Sequence, residues 1–477
     1  MIEDPVEDGQ PHAPLVKISE VAPSVESLKD SLPETDNFNN STLRIDHLYQ
    51  RRESILSSEI SLFIEKTGQK IPDGGWGWLV VLASFVINML SDGVGFTFGL
   101  LYKEFLIEFG ASKSATSWIG SLFMSLPLIA GPIGSALVDK YGCMSMTIIG
   151  GIICTIGLAL SSYARTIGVM YLTFGVIGGL GLTLCFVTAV VSIAFWFEKK
   201  RTIALGLAAS GTGFGTAVYS PLATWLLFEY GWRGTLLITA GFFANMCVCG
   251  ALMRDPDWII EEEIVFQNWY DEFLDILKDL TNFSLFLDLH FFILSLSTVI
   301  VDMWYVVPYY YLAEHMTRHG YSDNEAAFVI SVIGITNTIG MVLLGAVGNR
   351  LNIAKSYAIC LVLCGVSIGC MILVTSSYIL LLVSGGCFGL FFASSMCLTP
   401  SLLAELVSLD DFTMAYGLLL LSQGVGTLIG PPLAGWLFDF TGSWDQSFYQ
   451  ACIWIIVSGL LVGIIPYTKN RRIGKRS

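Results

Sequence analysis

An all-α membrane protein of twelve transmembrane helices, arranged as two pseudo-symmetric halves of six, is the fold class this sequence predicts. Three observations predict it. The chain is 54% hydrophobic and 13% charged, with a mean hydropathy of +0.67, too apolar for a soluble domain of 477 residues. Apolar runs long enough to cross a bilayer, roughly 20 residues each, fall at 77–101, 117–138, 144–163, 168–195, 202–228, 233–253, 290–312, 325–348, 354–375, 378–403, 413–438 and 447–467. Finally, the stretch from Ala204 to Trp232 has a copy 211 residues later, from Ala415 to Ser443. Gly206, Gly213, Gly215, Thr216, Pro221, Leu222, Ala223, Trp225, Leu226 and Gly231 align with Gly417, Gly424, Gly426, Thr427, Pro432, Leu433, Ala434, Trp436, Leu437 and Gly442. A repeat at that distance places equivalent helices six spans apart, so the halves are parallel repeats about an axis along the membrane normal.

Residues 1–71 are rich in Glu, Asp, Ser and Pro and hold no long apolar run, the composition of a disordered tail. Within it Ile55, Leu56, Ile60, Phe63 and Ile64 follow the spacing of a short helix lying on a membrane surface. The halves, 72–253 and 290–467, flank an acidic linker, 254–289, and a basic tail follows at 468–477. In the linker Phe266, Trp269, Tyr270, Phe273, Leu277 and Leu280 recur at helical spacing, which suits a helix packed under the bundle or one that binds a partner. Loops of alternate parity differ in charge: about fifteen Lys and Arg on one side against about five, namely Lys103, Lys113, Arg165, Arg233 and Arg318, on the other. This asymmetry predicts both termini in the cytosol. No basic leader with an apolar core precedes span 1, so that span is expected to act as the insertion signal.

Several function classes are excluded at this level. The formal net charge of −14 is concentrated in 1–76, with 14 acidic and 7 basic residues, and in 254–289, with 10 acidic and 2 basic; nucleic acid is not an expected partner. Ten of the eleven cysteines lie in apolar runs and Cys143 in a short loop, so structural disulfides and metal sites are not expected. No cofactor is implied. No nucleophile, base and orienting group cluster at enzymatic spacing.

Gly134, Asp139, Lys140, Tyr141 and Gly142 form a G-x-x-x-x-D-K-Y-G turn between spans 2 and 3, echoed by Gly345, Gly348, Asn349 and Arg350 between spans 8 and 9. A charged turn at the same place in both halves fits a latch that pairs in one state and parts in another; a generic membrane-exit turn is the alternative. The turn resembles the signature of the major facilitator superfamily, with Cys143 and Met144 where a basic pair often follows. Glu405, ending span 10 near Asp410 and Asp411, and Lys199, Lys200 and Arg201 ahead of span 5 make a second candidate gate at the same end.

Span 1 is introduced by Asp73, Gly74, Gly75, Trp76, Gly77 and Trp78, a tight turn followed by indoles suited to the membrane interface. The string PDGGWGW resembles the first motif of the monocarboxylate transporter family (solute carrier family 16). Trp196-Phe197-Glu198-Lys199-Lys200-Arg201 is similar to its second, with Trp196 where tyrosine is usual. The resemblance covers about 72–467 and implies the major facilitator fold, alternating access and a small organic solute as the cargo. It also implies protons and a single-span immunoglobulin-like accessory glycoprotein as candidate partners. Proton-coupled lactate and pyruvate carriers of that family have a lysine in span 1, where this sequence has Phe96. They have an Asp and an Arg four residues apart in span 8, where Asn337 and Met341 stand, and an asparagine in span 5, where Leu205 stands.

No Lys or Arg lies deep in any run, whereas Asp92 lies in span 1 and Asp302 in span 7, equivalent helices of the two halves. A carboxylate there costs roughly 2.5–3.5 kcal/mol on insertion scales. It therefore either serves a cavity or makes a helix-packing hydrogen bond to a neighbouring Ser, Thr or Tyr. Asn88, Thr183, Ser210, Asn337 and Gln423 are further polar groups that suit either a cavity or interhelical bonds. Tyr305, Tyr309 and Tyr310 beside Pro308 suit a substrate clamp or an outer aromatic belt. The expectation is a plasma-membrane secondary transporter, multi-pass in the lipid bilayer, for a carboxylate that also carries an amine or guanidinium, of the creatine or carnitine kind. A proton-coupled carrier of lactate-type monocarboxylates and a non-transporting solute sensor are the alternatives.

Overall fold

The computed structural model describes residues 73–197, 200–254, 283–347, 352–407 and 412–473. The chain divides into two units, 1–70 and 71–477, and the second is described here. The expectations for the 1–71 tail, for the linker helix between Phe266 and Leu280, and for Arg350, Asp410 and Asp411 fall outside the described residues, as do the side chains of Asp139, Lys140 and Arg201.

The chain enters the first span through a turn in which Asp73 and Gly75 take left-handed backbone angles, φ 47° and 62°. Helix α1, Gly77–Phe96, breaks at Thr97, whose hydroxyl bonds the Gly93 carbonyl at 2.6 Å, and α2, Phe98–Phe109, continues to Gly110. The second span is α3, Lys113–Ile129, capped by Ser112, and α4, Gly131–Tyr141, which restarts at Pro132. The third is α5, Cys143–Ser161, and Cys143 is its buried first residue rather than a loop residue. The fourth runs from α6, Ile167–Met170, through a π-helical stretch, Tyr171–Gly178, into α7, Gly179–Trp196.

Spans 5 and 6 follow one another directly in α8, Arg201–Leu252, and are separated by Gly231, whose φ 63°, ψ 178° interrupts the helix. The seventh span is α9, Leu289–Trp304, broken at Tyr305 and continued as α10, Val306–Arg318. Then follow α11, Asp323–Val347; α12, Ile353–Leu373; α13, Tyr378–Leu406; α14, Phe412–Thr441; and α15, Asp445–Ile473. Ten described helices are long and apolar enough to cross a membrane. The span count reaches twelve because α8 holds two and the second span is interrupted at Ala130 into two shorter helices, α3 and α4.

Spans 1 and 7 run further than their apolar runs suggest, and both break at matching places, Thr97 and Tyr305. Their extensions, α2 and α10, cross at Gly99, where a β-carbon would lie 2.4 Å from the Tyr310 carbonyl oxygen. Within the first half α1 packs on the front of α8, and α5 on its rear. In the second half α9 packs on α14, α11 on α13 and α12 on α15. The halves meet through α3 with α14 and α8 with α11.

Candidate functional site

Each half places one carboxylate on its first span, facing the span that carries the internal repeat. Asp92 of α1 is half-buried, and Thr212 of α8 donates its hydroxyl to Asp92 Oδ2 at 2.6 Å. Ser91 donates to Oδ1 at 3.4 Å. Asp302 of α9 is 7% exposed and faces Gln423 of α14. Thr212 and Gln423 are 211 residues apart, the offset of the repeat, so the two carboxylates are pseudo-symmetric mates with pseudo-symmetric neighbours. They differ in one respect. Asp302 Oδ2 is buried without a hydrogen-bond partner, as is the hydroxyl of Thr427 one turn on from Gln423. An unpaired buried carboxylate oxygen is costly in a folded protein and marks a place for a donor.

One turn from the aspartates, toward the end of the bundle that carries Lys113, aromatic rings close the centre. Phe96 stacks on Tyr309 with centroids 4.5 Å apart and meets Tyr305 edge-on at 6.1 Å. Tyr305 stacks on Phe392 at 4.7 Å, and Tyr309 meets Phe388 at 5.5 Å. None of the five rings is more than 3% exposed. Tyr305, Tyr309 and Tyr310 are thus interior residues, and the reading of them as a lipid-facing outer belt is corrected. Their apolar neighbours gave no hint of this, because the inward face of α10 depends on the break at Tyr305.

Beyond the rings the halves are sealed at the Lys113 end. Lys103 pairs with Asp323 and Lys113 with Glu314, each joining one half to the other. In the first half, the Arg233 guanidinium bonds Glu108 at 2.8 Å and keeps that carboxyl below the usual range.

Asn337 and Met341 make their described hydrogen-bond contacts with α13. Asn337 is 1% exposed and donates its amide to the Gly389 carbonyl of α13 at 3.2 Å, and Met341 is buried beside Cys397 of the same helix. Asn88 likewise bonds the Ala208 carbonyl at 3.1 Å, and Thr183 and Ser210 bond carbonyls of their own helices.

At the opposite end the two sequence motifs fold into one unit. Asp73 accepts a hydrogen bond from the Lys200 N–H at 3.2 Å, the indole of Trp76 donates to the Leu252 carbonyl at 2.9 Å, and Trp78 meets Phe197 edge-on at 5.0 Å. Gly77 lies against Phe197, where a β-carbon would come to 2.9 Å, while Gly74 accepts from Gly77 N–H at 3.2 Å. Trp196 donates to the Arg254 carbonyl at 3.3 Å. The entry of span 1 is thereby tied to both ends of α8. Of the gate residues expected at this end, Glu405 is exposed in the last turn of α13, and the backbone of Asp139, Lys140 and Arg201 lies in α4 and at the start of α8.

Comparisons decide the family. The model of the Major Facilitator Superfamily matches residues 80–299 and 291–476. Monocarboxylate transporter 12 of Xenopus laevis is 31% identical over 412 residues, covering 82% of this chain and 89% of that protein. Monocarboxylate transporter 4 of Gallus gallus is 32% identical over 404 residues, 83% of this chain and 84% of that one. The chain belongs to the monocarboxylate transporter family. Among solved structures, a peptide transporter, POT, in complex with sulfate superposes with a TM-score of 0.66 at 12% identity over 83% of this chain and 96% of that chain, a likeness of fold alone. The monocarboxylate transporters are membrane solute transporters, not enzymes, and in this member the central groups are carboxylates, hydroxyls, an amide and aromatic rings. Such a set can bind a cation or hold a proton, and among the described residues named at the centre none carries a fixed positive charge.

Proposed function

We propose that this protein carries a small organic carboxylate that also bears an amine or guanidinium, of the creatine or carnitine kind, across the plasma membrane by alternating access. The single observation behind this reading is the buried, unpartnered Oδ2 of Asp302 beside Gln423 and Thr427. A cationic group on the solute satisfies the one unpaired oxygen, Oδ2, of the Asp302 carboxylate. The Asp92 mate, already bonded to Thr212, takes the lesser part.

In this reading both termini lie in the cytosol and the Lys113 end is extracellular. The bundles are 72–253 and 290–467. Asp139, Lys140, Arg201, Arg350 and Glu405 form the latch at the cytosolic end. Protons and a single-span immunoglobulin-like accessory glycoprotein are the candidate further partners. Uptake of lactate, pyruvate, creatine, carnitine and aromatic amino acids, compared at two pH values, tests the proposal. Saturable uptake of a zwitterion that falls at least tenfold in Asp302→Asn is expected. Proton-driven lactate flux unaffected by that change overturns it in favour of the lactate-type reading, and saturable binding without exchange overturns it in favour of a sensor.

A further inference from the structure

The first turn of α3 is capped by Ser112 of its own half, yet two of its N–H groups are bonded from the other. The N–H groups of Lys113 and Ser114 donate to the two carboxylate oxygens of Asp439 on α14, at 3.0 and 3.1 Å. Ser114 Oγ donates to the Pro432 carbonyl at 2.9 Å. Ser117, one turn on, bonds the Tyr311 hydroxyl at 2.7 Å, and that hydroxyl also bonds the Pro431 carbonyl at 2.6 Å. The Lys113 ammonium reaches into the same surface. It contacts Glu314 and lies 5.1 Å from the Phe438 ring centroid and 5.8 Å from that of Trp444. Its side chain is 16% exposed and that of Glu314 is 8% exposed. Arg318 shares the oxygen that Lys113 contacts, Glu314 Oε1, at 3.0 Å, while Glu314 Oε2 is buried with no partner.

From this geometry we infer that Lys113, seated in a socket of Glu314, Asp439, Phe438 and Trp444 from the opposite half, is the latch that holds the Lys113 end of the transport pathway shut. The physics favours a two-state device. A buried ion pair gains little net stability over solvated partners, because desolvation offsets attraction, yet removing one partner leaves the other charge stranded at a cost of several kcal/mol. The charges and the two helix N–H groups must therefore leave the socket together and be rehydrated together. Below the latch, Ser121 and Ser125 continue the face of Ser117 along α3, both fully buried with unpartnered hydroxyls. They form a polar strip leading inward from the socket. The inference rests on the alternating-access reading of the protein but not on the identity of its solute.

The test is labelling of full-length protein in intact cells by a membrane-impermeant maleimide, with Ser121→Cys as reporter and the parent protein as background. Glu314→Gln strands the ammonium, and Lys113→Glu sets a carboxylate against Glu314 and Asp439. Each is expected to raise the reporter's labelling rate at least threefold. Should either single variant fail to reach the surface, Asp439→Asn, which weakens the cap of α3, carries the same expectation. Rates in Glu314→Gln or Asp439→Asn that match the parent overturn the latch. Because labelling needs no substrate, a wrong solute assignment fails in the uptake panel while leaving this result intact.

Discussion

Gly215 and Gly426, 211 residues apart in the chain, are the same contact made twice: a β-carbon on Gly215 would sit 2.1 Å from the Met89 carbonyl oxygen, and one on Gly426 would sit 2.5 Å from that of Val299. Each glycine lets the repeat-bearing span lie directly on the first span of its half, beside Asp92 in one case and Asp302 in the other. Neighbouring glycines make the complementary contact. Gly213 meets Gly334 of α11, and Gly424 meets Ile129 of α3, both in the opposite half. The carboxylates are thus held by one device used twice.

Gly215→Ala and Gly426→Ala are expected to force helices apart and to destabilise the protein by roughly 1–3 kcal/mol, the usual cost of overpacking. Gly206→Ala and Gly417→Ala, the paired positions with nothing within 4 Å of a β-carbon, are expected to be neutral. Thermal unfolding of detergent-solubilised variants checks this, and equal melting temperatures across all four contradict it.

The crossing of α2 and α10 at Gly99 leaves no room for a side chain. Gly99→Val should therefore prevent closure at the Lys113 end. The expected result is a variant that reaches the membrane and stays accessible to external maleimide at a Ser121→Cys reporter, but exchanges solute at less than a tenth of the parent rate. Normal exchange contradicts it.

The two aspartates should differ in sensitivity. Asp92 already has the Thr212 hydroxyl, and Thr212→Val, which leaves that carboxylate short of a donor, should cost about 1–3 kcal/mol of stability. Asp302→Asn should leave stability nearly unchanged while lowering uptake at least tenfold. Paired melting and uptake measurements separate the two outcomes, and a stability loss in Asp302→Asn as large as that in Thr212→Val would count against the assignment.

The clamp at the opposite end is a stability element. Asp73 caps the start of α8 from outside the helix, so Asp73→Ala should cost about 1 kcal/mol. Trp76→Phe should loosen the tie to Leu252 by a similar amount. Melting curves check both, with transport per folded molecule expected to stay at the parent level.

The fold was legible in the sequence because length and hydropathy fix a span by themselves, and because the repeat from Ala204 supplied the symmetry. The carboxylates were legible for the same reason: a charge inside an apolar run is conspicuous. Thr212 went unnoticed, although the offset that pairs it with Gln423 would have found it. Lys113 and Glu314 were hidden for a different reason. Each sits near a helix end, where charge is ordinary, and only the crossing of two halves distant in sequence turns them into a pair. Asn337 and Met341 were placed by resemblance to lactate and pyruvate carriers, and a matched position in the chain does not say which face of α11 looks toward the centre.

The central claim is that the acidic, cation-free centre carries the solute. Counterflow in proteoliposomes tests it most directly, with a creatine- or carnitine-type zwitterion on both sides and the parent compared with Asp302→Asn. The account predicts saturable exchange by the parent and at least a tenfold loss in the variant. Exchange of lactate but not of any zwitterion, undiminished by Asp302→Asn, would contradict it.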